Sequence, residues 1–230
     1  MNKALKAIIS IVLLGVIVWL VFANIKSVKE PVDFNKAKAY REGIAEQRLK
    51  DIRTLQVAYK SVNNKFTASF DTLAMFYNTG KMDVNLQVGS QDDSLAVAHT
   101  EAVRKANKGI TNEQLYQMYR NGDEHLVFSI KSQIPVRDTL FNGRSDFNVD
   151  SLAYIPFSGG QKTIMNAVVK EVSGVQVPLF EAQMPYKALL HGLDNQLRIN
   201  LDAERRDQNK YEGLQVGSIS APNNNAGNWE

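Results

Sequence analysis

Residues 34–62 read FNKAKAYREGIAEQRLKDIRTLQVAYKSV, and their periodicity decides the fold. Ala45, Leu49, Ile52, Leu55, Tyr59 and Val62 recur at steps of three and four, the spacing of one face of an α-helix. Lys36, Arg41, Lys50, Arg53 and Lys60 fall elsewhere on the helix surface, with Glu46 four residues before Lys50 as a supporting pair. The stretch predicts a long amphipathic helix with a solvated basic face. Its apolar stripe has two readings, a seam packed on the chain's own sheet or a surface for a partner helix. On the second reading Ala45, Leu49, Ile52, Leu55 and Tyr59 are the candidate partner-packing residues.

Just upstream, Ala7 to Ile25 is a run of nineteen residues in which only Ser10 and Asn24 are polar, bracketed by Lys6 and Lys26. As a helix rising about 1.5 Å per residue it covers roughly 28 Å, close to a bilayer's hydrocarbon core. Trp19 and Phe22 lie toward one end, where aromatic rings favour the interface. A transmembrane helix is therefore expected over residues 7–25, after a cytoplasmic tail at 1–6 and before a linker at 26–33. Pro31 either separates the span from the next helix or kinks a continuous one. The competing reading is a cleaved signal peptide, with Lys3 and Lys6 as its basic start and Val21-Phe22-Ala23 as its cut. The length of the run and the bulk of Trp19, Leu20 and Phe22 favour the anchor. Lys26, Lys29, Lys36, Lys38 and Arg41 beyond the span argue for a cytoplasmic body by the positive-inside rule, but that rule weakens for long translocated domains. The bulk of the chain is expected outside the cytoplasm.

The 230 residues contain no cysteine, which removes disulfide scaffolds, thiol chemistry and zinc ribbons. Charge is uneven. Residues 26–65 carry ten Lys and Arg against five Asp and Glu, whereas residues 66–230 carry fifteen against nineteen. A basic neck beside a membrane can meet anionic headgroups, or it is simply a solvated helix face. Nucleic acid is not an expected partner, because the basic residues interleave with acids and no stacking-aromatic motif accompanies them.

Along the body, Asn63-Asn64 ends the long helix, and Ser69 is placed to cap a short helix from Phe70 to Tyr77. Met82 to Val88 reads as a strand, Asp92-Asp93-Ser94 opens a helix reaching Asn107, and Thr111 with Gln114 forms a capping box for a brief helix. Leu126 to Lys131, Ile134 to Leu140 and Leu152 to Ile155 read as short strands. Thr163 to Val172 and Val175 to Ala182, joined by Ser173-Gly174, form a two-residue hairpin, and Pro178 demotes its strand to an edge or a bulge. A helix through about Gln208, a strand from Leu214 to Ile219 and a flexible tail at 221–230 follow. The fold class is α+β, a long helix packed on a small antiparallel sheet within a domain over residues 34–220.

No catalytic motif survives inspection. Gly159-Gly160-Gln161-Lys162-Thr163 lacks the glycine that a phosphate loop needs before its lysine. His99-Thr100-Glu101 lacks the metal-binding cysteines of a deaminase, and His125 and His191 complete no helical metal pair. Asp92-Asp93 and Asp123-Glu124 sit where a helix start or a turn favours acids. The chain is expected not to be an enzyme, with no cofactor and no metal.

Two stretches carry a resemblance. Tyr59-Lys-Ser-Val-Asn-Asn-Lys-Phe66-Thr-Ala-Ser69-Phe-Asp-Thr-Leu73 is similar to the segment that ends the long helix of type II secretion pseudopilins. Val216-Gly217-Ser218, Asn223-Asn224-Asn225 and Gly227-Asn228-Trp229 resemble the loop and terminal tryptophan of the major pseudopilin. Together they cover about thirty of the 230 residues. The prepilin-peptidase motif is missing: Gly15 lies inside the apolar run, followed by Val16, and Leu20 stands where that family has glutamate. The tail offers asparagines where that family's calcium loop has aspartates. The whole chain also resembles uncharacterised single-pass bacterial envelope proteins. The resemblance implies a pilin-like, periplasmic body on the bacterial inner membrane, with a structural or scaffolding role through self-association or protein partners. The alternative is a membrane-tethered binding protein for a glycan, peptide or lipid, with Phe157, Phe180 and Tyr186 lining a pocket in residues 125–190.

Overall fold

A computed structural model describes residues 3–230, with the side chains of 3–10, 22–24 and 26 outside that description. In chain order the elements are α1 (Lys3–Asn63), α2 (Phe70–Thr79), β1 (Lys81–Val88), α3 (Ser94–Ala106), α4 (Asn112–Arg120), β2 (Phe128–Pro135), α5 (Val136–Thr139), β3 (Ile164–Val172), β4 (Val175–Pro185), α6 (Tyr186–Leu189), α7 (Asn195–Asp207) and β5 (Gly213–Gly217). Mixed helix with small antiparallel sheets makes the chain α+β. α1 passes through Pro31 and through residues 26–33, expected as a linker, without a break. It ends where Asn64 adopts a left-handed conformation (φ 56°), which asparagine tolerates better than most side chains.

Contacts divide the chain into two compact units. The first comprises Met1–Thr54, Phe66–Phe70 and Asn148–Glu230. Its antiparallel sheet has the order β3-β4-β5. The β3–β4 turn is Ser173-Gly174, with φ of 53° and 81°. Positive φ at both central positions matches the twist of the flanking strands. β4 is the central strand of this sheet and not its edge. β5 pairs with it only from Glu181 to Pro185, so at Pro178 the strand has β3 as its sole ladder neighbour and the missing donor is tolerated. Phe180, Ala182, Met184, Leu214 and Val216 are buried on this sheet, and Phe66 packs its ring 4.8 Å from that of Phe180. Leu152 to Ile155 is not a strand: Val149–Ala153 forms a 3₁₀ turn, capped by the Asn148 side chain, and only Tyr154 makes a bridge, to Lys162.

The arginines of α1 are tied to this unit's loops. Arg41 donates to the carbonyls of Leu189 and His191 at 3.0 and 2.8 Å, and Arg48 to those of Ser151 and Tyr154 at 3.0 and 2.7 Å. Arg53 reaches the Asn225 carbonyl and pairs with Glu230 at 2.7 Å. The basic face expected to be solvated is thus partly a set of clasps on exposed or part-buried backbone carbonyls. The tail at 221–230, expected to be flexible, is hydrogen-bonded to β5. Gly217 donates to the Ala226 carbonyl, the Asn228 backbone N–H to that of Gln215, and the Asn228 side chain to that of Gly213. Gly227 lies beneath the Trp229 ring, where a Cβ would stand 2.4 Å from its carbons.

The second unit comprises Leu55–Lys65 and Asp71–Phe147. β1 and β2 pair antiparallel from Lys81 opposite Pro135 to Val88 opposite Phe128. α3 and α4 are inserted between them in the chain. Asp93 caps α3 by accepting from the N–H groups of Leu95 and Ala96, and α4 has the full capping box of Thr111 and Gln114. Val88, Leu115, Leu126, Phe128 and Ile130 form one core cluster, and Ala58, Phe76 and Val136 another. Ile134 to Leu140 is not a strand, because β2 stops at Pro135 and Val136–Thr139 turns into the one-turn α5. Proline cannot donate to a ladder, and it is well suited to precede a helical turn.

Candidate functional site

The expected membrane span at 7–25 lies partly outside the described side chains. Among the described residues no helix is long and apolar enough to cross a membrane. The described part still has a marked character. From Ile11 to Val21 every residue is apolar or glycine, and its ten large side chains are 45% to 71% exposed. Ile25, Val28 and Val32 continue the exposed apolar surface. A surface of this extent in water carries a large hydrophobic cost until something covers it.

The candidate partner-packing stripe is placed differently. Ala45, Leu49, Ile52 and Leu55 are fully buried by the chain itself, and Tyr59 is half-buried with its ring edge-on to Phe76 at 5.3 Å. Ala45, Leu49, Ile52 and Leu55 present no surface to a second molecule, and Tyr59 keeps only a part of its own exposed. Their burial is the seam reading of the same periodicity.

The aromatics expected to line a pocket do not converge on one. Phe180 and Tyr186 are fully buried. The Tyr186 hydroxyl donates to Glu42 at 2.5 Å and accepts from Arg205 at 2.8 Å, and burial, then the Glu42 carboxylate, pushes its pKa up. Phe157, at φ 60°, is exposed beneath the Arg41 guanidinium, 4.9 Å from its ring centre.

A cleft of about 660 Å³ lies elsewhere in the first unit, between α7, the end of β4 with α6, and the segment leading to β5. Lys187, Arg198, Asp202, Arg206, Lys210 and Glu212 carry its charge, and Ile199, Tyr211 and Pro185 line it between them. Asp194 caps α7 by accepting from the Leu197 N–H, which sets the helix in register. Arg198, Asp202 and Arg206 then stack at four-residue intervals on one face. Arg198 is bonded to Asp202 Oδ2 and, at 2.9 Å, to Asn195. Arg206 pairs with Glu212 at 2.7 Å and holds that carboxyl below its usual range.

Asp202 departs from this tidy pairing. The residue is 7% exposed, and its Oδ1 is buried with no hydrogen-bond partner. Burial raises its pKa, with the Arg198 charge opposing. Leaving one carboxylate oxygen unpaired in a low-dielectric setting is costly, and it favours the protonated acid. The four-residue rhythm of Arg198, Asp202 and Arg206 was the signal present in the sequence. It reads as an ordinary ladder of helix pairs until folding brings Lys187, Lys210 and Tyr211 beside it.

The histidine and paired acids weighed as motifs stay apart from the cleft. His99 Nε2 meets Asp123 at 2.9 Å on the surface of the second unit, and Asp93 is a helix cap. Among the described residues no three His, Cys, Asp or Glu are grouped so as to hold a metal ion. Comparison with protein-family models, with curated proteins and with solved structures finds no match to this chain.

Proposed function

We propose that the chain is a membrane-anchored structural or scaffolding component of a bacterial envelope or secretion-type assembly. On this reading residues 7–25 form the anchor, the bulk of the chain is periplasmic, and the protein works by holding partners or copies of itself rather than by catalysis. The carrying observation is the exposed apolar surface from Ile11 to Val21, at the start of a helix that continues unbroken into a folded body. A bilayer covers such a surface on all sides, as a globular partner does not. Lys29, about 6 Å beyond Ile25 along the helix, follows it at the level where anionic headgroups would lie. The pseudopilin-like segment at 59–73 and the closing Trp229 support a pilin-like role. The tail's hydrogen bonds to β5 are in keeping with that likeness, though its asparagines make it a poor calcium loop.

The test is extraction of the tagged full chain from native membranes in mild detergent, followed by particle mass and identification of co-purifying chains. A homopolymeric particle or stoichiometric envelope partners is the expected result. A monomer with nothing bound would overturn the scaffold. Reporter fusions after residue 230 that are active only in the cytoplasm would overturn the orientation.

A second reading, a membrane-tethered binding protein for a glycan, peptide or lipid, is favoured by the charged cleft. Its site is this cleft and not the pocket expected in residues 125–190.

A further inference from the structure

We propose that α1 pairs, parallel and in register, with α1 of a second copy of this chain, along a seam through Ile25, Val28, Val32, Asn35 and Ala39. The inference rests on the scaffold reading and names the surface through which copies associate. The phase of the apolar residues, their exposure and the charges beside them lead to it.

Inside the apolar run every position suits a seam, so the residues beyond it set the phase. There Ile25, Val28, Val32 and Ala39 stand among Lys29, Glu30, Asp33 and Lys36. With Val21 and Asn35 they recur at alternating steps of four and three, the heptad spacing of a helix seated against another helix. Leu14 and Val18 extend the same phase upstream, and α1 carries it through Pro31 without a break.

The chain's own body does not cover this seam. Phe34, Ala45 and Leu49 are buried, whereas Ile25, Val28 and Val32 are 57%, 69% and 46% exposed, and Asn35 and Ala39 are exposed as well. Lipid does not account for it either. On the anchor reading Val28 and Val32 lie roughly 4 and 10 Å beyond Ile25, at and above the headgroups rather than in hydrocarbon. The next position in phase is Glu42, which accepts from the buried Tyr186 hydroxyl, so the seam ends there. A straight helix drifts about 20° per heptad, which carries the stripe round onto the body.

Charge and amide chemistry select a second copy as the occupant. A shared span gives every copy the same direction and depth, so like residues come level. In a parallel pair a flanking residue faces the one five places further along the copy. Pro31 then meets Lys36 and Lys38 meets Gly43, and no lysine faces a lysine. An antiparallel pair would set Lys29 and Lys36 against those of the copy. Asn35 comes level with itself, and its amide both donates and accepts, so the two side chains bond to each other and fix the register.

The chain has no cysteine, so single substitutions report single positions. Ile25→Cys, Val28→Cys, Val32→Cys and Ala39→Cys, with Glu30→Cys, Asp33→Cys and Tyr40→Cys as exposed controls, are oxidised in membranes with copper phenanthroline, each in the full chain. Disulfide-linked dimers are expected at least tenfold more at the seam positions than at the controls. In mild detergent the unsubstituted chain should give a particle holding two copies. Val28→Asp with Val32→Asp should shift it to one copy with unchanged circular dichroism, since both side chains are exposed. Cross-linking spread evenly round the helix, or strongest at the controls, would overturn the seam, as would a double variant that stays paired. A monomer bound to stoichiometric envelope partners would overturn this inference and leave the scaffold reading standing. A monomer with nothing bound would overturn both.

Discussion

Leu49 and Asp202 show opposite uses of burial. Leu49 is fully buried on α1, and replacing it with alanine removes transfer energy and leaves a cavity, at a cost of about 2–5 kcal/mol. Tyr40, 67% exposed on the same helix, should cost under about 0.5 kcal/mol when changed to alanine. Urea unfolding of the two variants, followed by circular dichroism, measures the contrast; equal midpoints would show that the stripe is not core. Asp202 is buried for another reason, and the sign of its effect follows from its raised pKa. The folded chain holds the Asp202 proton more tightly than the unfolded chain does. Its contribution to stability is therefore complete below the unfolded carboxylate pKa and is lost as pH rises through that value to the raised one. In Asp202→Asn this dependence disappears, so hydrogen-exchange protection of α7 in the variant should gain on the unsubstituted chain as pH rises through that window and then level off. A constant difference across the window would mean that Asp202 titrates as in the unfolded chain.

Elements with strong local chemistry are legible in the sequence. The long helix was carried by six apolar positions at helical spacing, α4 by Thr111 and Gln114, and the β3–β4 hairpin by Ser173-Gly174, each within a few residues of its neighbours in sequence. What escaped was decided at long range. Arg41 and Arg53 looked like a solvated face because the carbonyls they hold, at His191 and Asn225, are about 150 and 172 residues away. The tail looked loose because asparagine and glycine favour loops, yet Asn228 finds Gly213 and Gln215. The cleft was missed for the same reason, since Lys187 and Tyr211 join Asp202 only after β4, α6 and α7 have folded together. The turn itself permits a test. Ser173 stands at φ 53°, a position where asparagine is favoured, so Ser173→Asn should stabilise the hairpin by about 0.5 kcal/mol. Gly174→Ala, at φ 81°, should destabilise it by roughly 1–2 kcal/mol. Thermal unfolding monitored by amide signals of β3 and β4 reads both; the reverse order would show that the turn is not of the positive-φ type.

For the molecule as a whole, the question is what covers the start of α1. The body from residue 66 onward carries a modest excess of acids, and residues 26–65 carry an excess of bases, so the chain is polarised along its length as a protein standing on an anionic surface would be. An apolar helix beside a basic segment is held by a bilayer through two forces that respond differently to treatment. Salt and alkaline carbonate remove a protein held by charge, because screening weakens surface attraction within about a Debye length, but they do not extract a helix that spans the hydrocarbon. The full chain should therefore stay with membranes after carbonate washing. Leu14→Arg with Val18→Arg places two guanidinium groups near the middle of the apolar run, each opposed by about 2.5–3.5 kcal/mol for insertion at a helix centre. That double variant should move to the soluble fraction or to the carbonate wash while its body, from residue 34 on, keeps its fold by circular dichroism. If the unsubstituted chain itself washes off, the exposed surface from Ile11 to Val21 is covered by protein and not by lipid, and the anchor is replaced by an interface that the same double substitution should break into smaller particles.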